Sequence, residues 1–285
     1  MQERIDAYLT HLVEEKGYSE NTLAAYRNDL SQFKKFLSRH ISDWAEVDRN
    51  LIVNYILHMK EREYASSTVA RKVAAIKSFF HHLVATVVIS DDPTATLDSP
   101  KVKKRLPHTI SDAEAESLLA EPAKSSTPKA LRDCALLELL YATGMRVTEA
   151  VSLDVDDVNL PSATVRVRRD EESGGRVLPL HDRASKALEL YLQKGRLPLA
   201  RDPEEPALFL NHRGQRLTRQ GLWLIIKAYV GKSGIDSEVT PHTLRHSFAI
   251  RKLREGVSLQ EIQKLLGHAN ISTTQIYLQI SRQDE

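Results

Sequence analysis

Apolar residues recur every three or four positions along the first third of this 285-residue chain, a spacing that places them on one face of a helix. One set is Leu23, Tyr26, Leu30, Phe33 and Leu37, and another is Val69, Val73, Ile76, Phe80 and Leu83. A helix with a single apolar face must bury that face against another element. Residues 1–96 are therefore predicted to form an all-helical domain with its own core.

The second of these helices carries cations on the side opposite its apolar face. Arg71, Lys72 and Lys77 lie there, after Ser66-Ser67-Thr68, where we expect the N-cap. A solvated helix face explains such charges by itself. In a protein that acts on nucleic acid, the same three residues are instead predicted to contact phosphates.

A basic segment bounded by prolines separates this helical block from the remainder of the chain. Pro100 and Pro107 enclose a cluster of cations, which are Lys101, Lys103, Lys104 and Arg105. We predict a basic linker over residues 97–107 and a second domain over residues 108–285. The charge alone fits a solvated linker as well as a nucleic-acid contact.

Helix-start signals recur through the second domain. The capping-box pattern Ser-x-x-Glu begins at Ser111 and Ser258, and Ser-x-x-Gln begins at Ser272. Thr240 followed by Pro241 suits an N-cap and a first helical residue. A buried helix is expected over residues 130–142.

Alternation over residues 165–168 and 176–180 predicts two strands joined by a turn at Ser173-Gly174-Gly175. The predicted fold class is therefore mainly α in two domains. The N-terminal domain is helical, and the second is mostly helical with a small antiparallel β-sheet.

Composition limits the compartment and the partners. Charged residues make up 27% and the net charge is +2, which neither requires nor excludes nucleic acid. The single cysteine, Cys134, lies in an apolar run and rules out an internal disulfide. The sequence shows no signal peptide and no apolar stretch near the roughly 18 residues of a membrane span, so we expect a cytoplasmic protein without a membrane partner.

The candidate chemical residues form a set suited to a phosphodiester. His242 and Arg245 share one face at the start of the helix that Pro241 opens, where unpaired backbone N–H groups favour an anion. Arg146 follows a turn, and Tyr277 lies close behind Gly267-His268. Arginines would neutralise phosphate oxygens, histidines would position groups and move protons, and the tyrosine would be the nucleophile.

His246, four residues after His242, raises the alternative of a metal pair. A zinc-protease helix would need Glu where Thr243 stands, and the sequence offers no cluster of further ligands. We therefore expect no metal and no cofactor, and we interpret His246 as a structural residue of the helix bundle. Glu149 either orients Arg146 or a neighbouring histidine, or is an ordinary first-turn carboxylate.

Four segments together closely resemble the sequence boxes of the tyrosine recombinases, the integrase family, and most closely the Xer type. They are Ala142-Thr-Gly-Met-Arg146-Val-Thr-Glu149, Pro241-His242-Thr-Leu-Arg245-His246-Ser-Phe-Ala249, Leu265-Leu-Gly-His268 and Ser272-Thr-Thr-Gln-Ile-Tyr277. Tyr18-Ser-Glu-Asn-Thr22, with Tyr26, Asp29 and Phe33, is similar to the family's core-binding domain. The resemblance covers nearly the whole chain.

The resemblance implies a site-specific recombinase that cuts and rejoins duplex DNA through a 3′-phosphotyrosyl intermediate, without metal or ATP. Tyr277 is then the nucleophile, and Arg146 and Arg245 hold the phosphate oxygens. His242 handles a proton near the tyrosine, and His268 donates a hydrogen bond to the phosphate. Glu149 is a supporting acid.

One position departs from the family pattern. Tyrosine recombinases carry a lysine in the turn of a β-hairpin, as the acid for the leaving 5′-oxygen. Here no lysine lies between Lys129 and Lys186, and an ungapped count puts Asp170 at that position. We expect slower cleavage or a substitute donor, for which Arg169 is the candidate, although arginine is a poor proton donor.

The resemblance also implies an assembly of four protomers on two DNA sites, with a second recombinase or an accessory protein as a further partner. Eight residues, Leu278 to Glu285, follow Tyr277, and we expect this tail to be too short to hold protomers together. A monomer is therefore expected in the absence of DNA. Two alternatives stay open: a DNA-binding architectural protein with weakened activity, and relaxation of DNA in the manner of a type IB topoisomerase.

Overall fold

The computed structural model describes residues 1–98, 107–168 and 175–281. The chain divides into two compact units, Met1–Lys104 and Arg105–Glu285. The four linker cations lie outside the described residues, as do Arg169 and Asp170 of the predicted hairpin turn.

Within residues 1–98, the described part of the first unit, there are four α-helices and one 3₁₀ turn. They are α1 (Gln2–Glu14), α2 (Glu20–Leu37), the turn Trp44–Glu46, α3 (Arg49–Glu61) and α4 (Ser66–Ala85). Both predicted apolar faces are used: Leu30, Phe33 and Leu37 of α2 meet Phe80 and Leu83 of α4 in one core. The all-helical prediction for this region is confirmed.

The predicted N-cap of α4 is wrong, because the helix begins earlier in the chain than expected. Helix α4 begins at Ser66, and the residue before it, Ala65, makes no side-chain cap. Ser66, Ser67 and Thr68 therefore lie inside the first turn of the helix.

The predicted cationic face of α4 is largely engaged inside the unit. Lys72 is buried, and its ammonium lies 2.9 Å from Asp29 Oδ1 and 2.9 Å from Gln32 Oε1. Arg71, which remains 46% exposed, pairs with the same carboxylate. Lys77 donates to the carbonyl of Leu97 at 2.8 Å.

The prediction that Lys72 contacts DNA is therefore wrong, because a buried ammonium must keep its partner. Lys77 is likewise used to hold the end of the unit. Arg71 stays a candidate DNA contact.

The second unit is mainly helical with one small sheet. Its helices are α5 (Asp112–Ala123), α6 (Pro128–Thr143), α7 (Val147–Ser152), α8 (Asp182–Leu190), α9 (Leu197–Leu199), α10 (Arg219–Ser233), α11 (Pro241–Arg254), α12 (Leu259–Leu266) and α13 (Ser272–Ser281). Its strands are β1 (Val158–Asn159), β2 (Thr164–Val167) and β3 (Arg176–Pro179). Helix α6 is buried along most of its length, so the other elements of the unit are arranged around it.

The predicted hairpin strands are confirmed as an antiparallel pair. Val165 lies opposite Leu178, and Val167 lies opposite Arg176. Strand β1 adds a third member to the edge beside β2, giving the order β1-β2-β3. With two residues, β1 is too short to show an alternating pattern in the sequence.

Most predicted helix caps of this unit are present. Ser111 and Ser258 each form a capping box with the glutamate three positions on, and the Thr240 side chain accepts from the backbone N–H of Thr243. The box predicted at Ser272 is wrong: Ser272 is already helical, and its backbone N–H donates to Asn270 Oδ1 at 2.8 Å. Asparagine is as effective a cap as serine, which explains the shift.

In the three described ranges, no helix combines the length and the apolar character that crossing a bilayer would require.

Removal of Asp29 should destabilise the first unit strongly. Asp29→Ala leaves the Lys72 ammonium buried with only an amide partner, and we expect a loss of about 3–5 kcal/mol in the free energy of unfolding. Urea denaturation followed by circular dichroism measures this loss.

The matched control is Asp6→Ala, because Asp6 pairs with Arg27 at 3.7 Å while both side chains are at least half exposed. That variant should lose about 0–1 kcal/mol. Equal losses for the two variants would contradict a structural role for the buried pair.

Candidate active site

Three arginines from three different elements converge on the C-terminal end of α12. Arg176 of β3 donates from Nε to the carbonyl of Leu265 at 2.8 Å, and Arg245 of α11 donates to that of Leu266 at 2.7 Å. Arg146, the N-cap of α7, donates to the carbonyl of Gly267 at 2.7 Å. The last carbonyls of a helix have no partner within it and carry partial negative charge, so they attract cations.

Two glycines make this arrangement sterically feasible. Gly267 ends α12 with φ +64°, and a Cβ there would lie 2.9 Å from Nη1 of Arg176. Gly144, at the end of α6 with φ +59°, would put a Cβ 2.5 Å from the ring of Phe248. The carbonyl of Gly144 also accepts a hydrogen bond from Arg245 at 2.7 Å. The two terminal nitrogens of Arg245 are therefore held by two backbone carbonyls, one of Gly144 and one of Leu266, the neighbour of Gly267.

Glu149 is the one carboxylate that contacts this cluster in the described part of the chain. It accepts from the backbone N–H of Arg146 at 2.6 Å and from Arg146 Nη1 at 2.9 Å. It also accepts hydrogen bonds from both terminal nitrogens of Arg176, at 2.9 and 2.8 Å. Burial raises the pKa of Glu149, but the Arg176 hydrogen bonds and the backbone bond from Arg146 outweigh burial and hold its pKa below the usual value.

Three guanidiniums therefore face one carboxylate, which leaves two positive charges for an outside anion. Arg245 is 5% exposed, and burial, followed by the charge of Arg146, lowers its pKa to about 10. It is still a cation at neutral pH. An anion placed beside Arg146 and Arg245 would relieve both repulsion and desolvation.

Tyr277 lies beside this cluster, on α13. It is 2% exposed and packs with Phe248, Ile262 and Leu266 in a small core formed by α11, α12 and α13. Burial raises its pKa, while the charges of Arg245 and Arg146 act in the opposite direction. The phenol is therefore protonated at neutral pH, and the positive charges of the two guanidiniums partly offset the effect of burial on its pKa.

The histidines surround the tyrosine at different depths. The ring of His268 stacks with that of Tyr277, with centroids 6.4 Å apart, and its Nδ1 lies 2.9 Å from the Thr274 hydroxyl. Burial, followed by the charge of Arg245, lowers the pKa of His268 to about 4. His242 is exposed at the start of α11.

His246 contacts the tyrosine directly. Its Nδ1 lies 2.9 Å from the hydroxyl of Tyr277, and burial, followed by the charge of His242, lowers its pKa to about 4. The sequence indicated a structural residue here, and it assigned the place beside the tyrosine to His242. The contact with the hydroxyl is made instead by His246, one helical turn after His242.

Arg176 is a residue of the cluster that the sequence did not point to. It appeared only as the start of a predicted strand, where a charged residue is ordinary. Its sequence position just after the hairpin turn is compatible with a role in the site. That position alone gives no reason to expect contacts with Glu149 and α12.

The hairpin places Arg168 away from the arginine cluster. Its Nε donates to Asp157 Oδ1 at 2.7 Å and its Nη1 to Asp154 Oδ2 at 2.9 Å. These contacts hold the base of the hairpin. Arg169, the predicted substitute donor, lies outside the described residues.

An open cleft of about 640 Å³ lies in front of the exposed side of the cluster. Arg146, His242 and Arg245 line it on one side, and Arg219, Gln220 and Trp223 of α10 line it on the other. Trp223 is 44% exposed, and Lys227 lies over its ring. Within residues 1–98, 107–168 and 175–281, no group of three or more His, Cys, Asp or Glu residues is arranged to hold a metal ion.

Two family models match the chain. The model of the phage integrase family matches residues 108–284, and that of the phage integrase N-terminal SAM-like domain matches residues 5–86. The chain belongs to the phage integrase family. The predicted resemblance and the predicted fold class are both confirmed.

Relatives from several bacteria match nearly the full length. Tyrosine recombinase XerC of Roseiflexus sp. (strain RS-1) is 49% identical over 99% of this chain and 90% of its own length. XerC of Herpetosiphon aurantiacus is 50% identical, over 99% and 92%, and XerD of Listeria innocua is 42% identical, over 99% and 95%. The chain is thus a tyrosine-type site-specific recombinase.

Solved structures agree with this assignment. The protein in the crystal structure of XerA recombinase is 28% identical in sequence to this chain. The two structures match with a TM-score of 0.54 over 97% of this chain and 92% of that one. XerH bound to a palindromic difH substrate in a post-cleavage complex is 22% identical, with a TM-score of 0.78 over 92% of this chain and 77% of that one. The latter likeness shows the shared fold.

Glu149→Gln should destabilise the recombinase in a pH-dependent way. The amide keeps one acceptor but loses the charge that binds two guanidiniums, so we expect a loss of about 3 kcal/mol at pH 7. A pKa lowered by folding gives stability that is full above the unfolded value, about 4.3, and lost as the pH falls through the folded value. The difference from wild type should therefore be constant from about pH 7 to 5 and shrink below about pH 4.

Urea denaturation across this pH range measures the difference. Glu204→Gln is the control, since Glu204 is exposed and its loss should change stability by no more than about 0.5 kcal/mol at pH 7. A Glu149→Gln deficit that stayed the same down to pH 3 would show that the carboxylate charge does not matter.

Proposed function

We propose that this site cuts one strand of duplex DNA with Tyr277 and then rejoins it to a partner strand. The observation that carries the proposal is the convergence of Arg146 and Arg245 on one helix end beside a buried tyrosine. The family membership and the recombinase relatives support cutting and rejoining of DNA as the activity.

The scissile phosphate is proposed to bind where the two positive charges remain uncompensated. Arg146 keeps 40% of its side chain exposed toward the cleft, and Arg245 stands behind it. Guanidinium forks match the oxygens of a phosphate, and they stabilise the additional charge that develops when phosphorus becomes five-coordinate. Since the donors are already fixed by backbone carbonyls and Glu149, little reorganisation is needed as the reaction proceeds.

The chemistry conserves the energy of the phosphodiester. The Tyr277 oxygen forms a bond to phosphorus while the bond to the 5′-oxygen breaks, giving a 3′-phosphotyrosyl link and a free 5′-hydroxyl. A 5′-hydroxyl of the partner strand can reverse this step. Rejoining therefore needs no ATP, and the arginines supply the charge neutralisation that a metal ion supplies elsewhere.

His268 is proposed to donate a hydrogen bond to the phosphate. If the buried Thr274 hydroxyl donates to Nδ1, the neutral ring carries its hydrogen on Nε2 and offers a donor. His242, exposed at the mouth of the cleft, is proposed to exchange protons between the site and the solvent.

The DNA is proposed to lie along the cleft between α10 and α11. Arg219 and Gln220 sit at the first turn of α10, where their side chains are suited to phosphate or base contacts. Arg71 and the four linker cations are proposed as further backbone contacts. We propose that four protomers assemble on two DNA sites in the cytoplasm, with a second recombinase as a partner.

The hairpin is proposed to be the weak point of the site. Asp170 stands at the family's lysine position, and Arg169 is the proposed donor to the leaving oxygen. An arginine holds its proton too tightly for efficient transfer. This departure is also what would favour a weakened, architectural role over full activity.

Tyr277→Phe should abolish covalent attachment without weakening DNA binding. A binding site is first selected from random-sequence duplex DNA with the wild-type protein, and a nick is then placed beside the cut so that the adduct is trapped. Denaturing gels should show wild-type protein on a 3′ end, with or without EDTA. Tyr18→Phe, which removes an exposed hydroxyl in the first unit, should form as much adduct as wild type. Undiminished adduct in Tyr277→Phe would refute the assignment of the nucleophile.

Sulfur in place of the 5′-bridging oxygen should accelerate cleavage, since a thiolate leaves without a proton. A missing general acid costs about 10²–10⁴-fold, so we expect a gain of that order in single-turnover rate over normal DNA. Asp170→Lys should accelerate normal DNA alone, whereas Asp170→Asn, which removes the charge and adds no acid, should not. Equal rates on the two substrates with wild-type protein would show that the hairpin departure has no chemical effect.

A further inference from the structure

The hydroxyl of Tyr277 has one hydrogen, and its direction decides whether the oxygen can attack. A neutral imidazole carries one N–H and one acceptor nitrogen, so the 2.9 Å contact with His246 Nδ1 has two arrangements. Either the phenol donates to Nδ1, or Nδ1–H donates to the phenol oxygen. In the second arrangement the hydrogen bond from Nδ1–H occupies a lone pair of the Tyr277 oxygen, and the hydroxyl hydrogen of Tyr277 points away from His246.

Charges around the tyrosine favour the first arrangement. Arg245 and Arg146 both act on the phenol electrostatically, and their positive potential attracts the oxygen lone pairs and repels the hydrogen. The rings of His246 and Tyr277 also contact each other, with centroids 5.6 Å apart and an angle of 53° between their planes. The groups that face His246 are His242 and Arg245 of its own helix and Tyr277 and His268 beside it, and none of these is an anion at neutral pH.

We infer that His246 accepts the hydrogen bond of Tyr277 and so holds the phenol with its lone pairs turned toward the guanidiniums, where the scissile phosphorus binds. This inference rests on the proposed function. It adds a positioning role to the proton handling that the resemblance assigned to His242: His246 fixes the nucleophile from inside the bundle, and His242 remains at the solvent side of the cleft.

The geometry of α11 makes the division of tasks natural. His242 and His246 are four residues apart and therefore lie on one face, with ring centroids 6.3 Å apart. The first is exposed and the second is partly buried. One helix thus presents one imidazole to the cleft and one to the tyrosine.

Amide isosteres test the inference. The side-chain oxygen of asparagine reaches the place of Nδ1, whereas that of glutamine reaches the place of Nε2. His246→Asn, His246→Gln and His246→Leu are compared with wild type on the nicked duplex described for Tyr277, measuring DNA affinity and single-turnover cleavage separately. All four proteins should bind DNA equally.

Cleavage by the leucine and glutamine variants should fall by about 10²-fold, the cost of a misplaced reacting group, while the asparagine variant should stay within about 10-fold of wild type. Leucine cleaving as fast as wild type would overturn the inference. Asparagine falling as far as leucine would also overturn it, because the acceptor at the Nδ1 position would then not be what matters.

A second measurement needs no DNA and reads the contact itself. Thermal unfolding of wild type, His246→Leu, Tyr277→Phe and the double variant forms a cycle in which the two losses in Tm should be non-additive. Additive losses would show that the two side chains do not interact in the free protein. Failure of the proposed function would instead appear as an absent adduct in wild type, with the cycle unaffected.

Discussion

The active site depends on the unpaired carbonyls at the end of α12. Guanidiniums repel one another, and bringing three together in a partly buried place is unfavourable unless each has a fixed acceptor. The carbonyls of Leu265, Leu266 and Gly267 provide one acceptor each, in consecutive order. A helix that ended elsewhere would leave the carbonyls unsatisfied and the cations without a common support.

The same arrangement explains why the site is ready for an anion before one arrives. Glu149 balances part of the charge and fixes Arg146 and Arg176 through four hydrogen bonds, so those side chains are held in one orientation. The remaining positive charge has no carboxylate partner in the described part of the cluster. The proposed phosphodiester would therefore complete the site electrostatically. The free-energy cost of ordering the arginines is met when the protein folds.

The sequence predicted the helices and the hairpin because periodicity and caps are local signals. It failed where a partner is distant in the chain. Lys72 looked like a surface cation because nothing nearby indicates that Asp29, 43 positions earlier, shares its burial. Arg176 was hidden for the same reason, since its partner Glu149 is 27 positions away. His246 was interpreted as a structural residue of the helix bundle, but its spacing from His242 says nothing about its partner Tyr277, 31 positions later.

The recombinase boxes add what such local signals lack, since they link segments that are distant in the chain. They predict that Arg146, Arg245, His268 and Tyr277 act in one reaction, and the structure brings these residues to one region. They also revealed the departure at Asp170 in the hairpin, but they could not say which residue replaces the missing lysine.

The support of three arginines by successive carbonyls also restricts how the length of this segment can vary. Each residue added to α12 would rotate the helix end by about 100° and advance it by about 1.5 Å, which would carry all three acceptors away from their donors at once. Substitutions on the exposed side of α12 leave that register intact. Within this segment, insertions and deletions are therefore far more damaging than changes of side chain, and Gly267 marks the residue from which the register is counted.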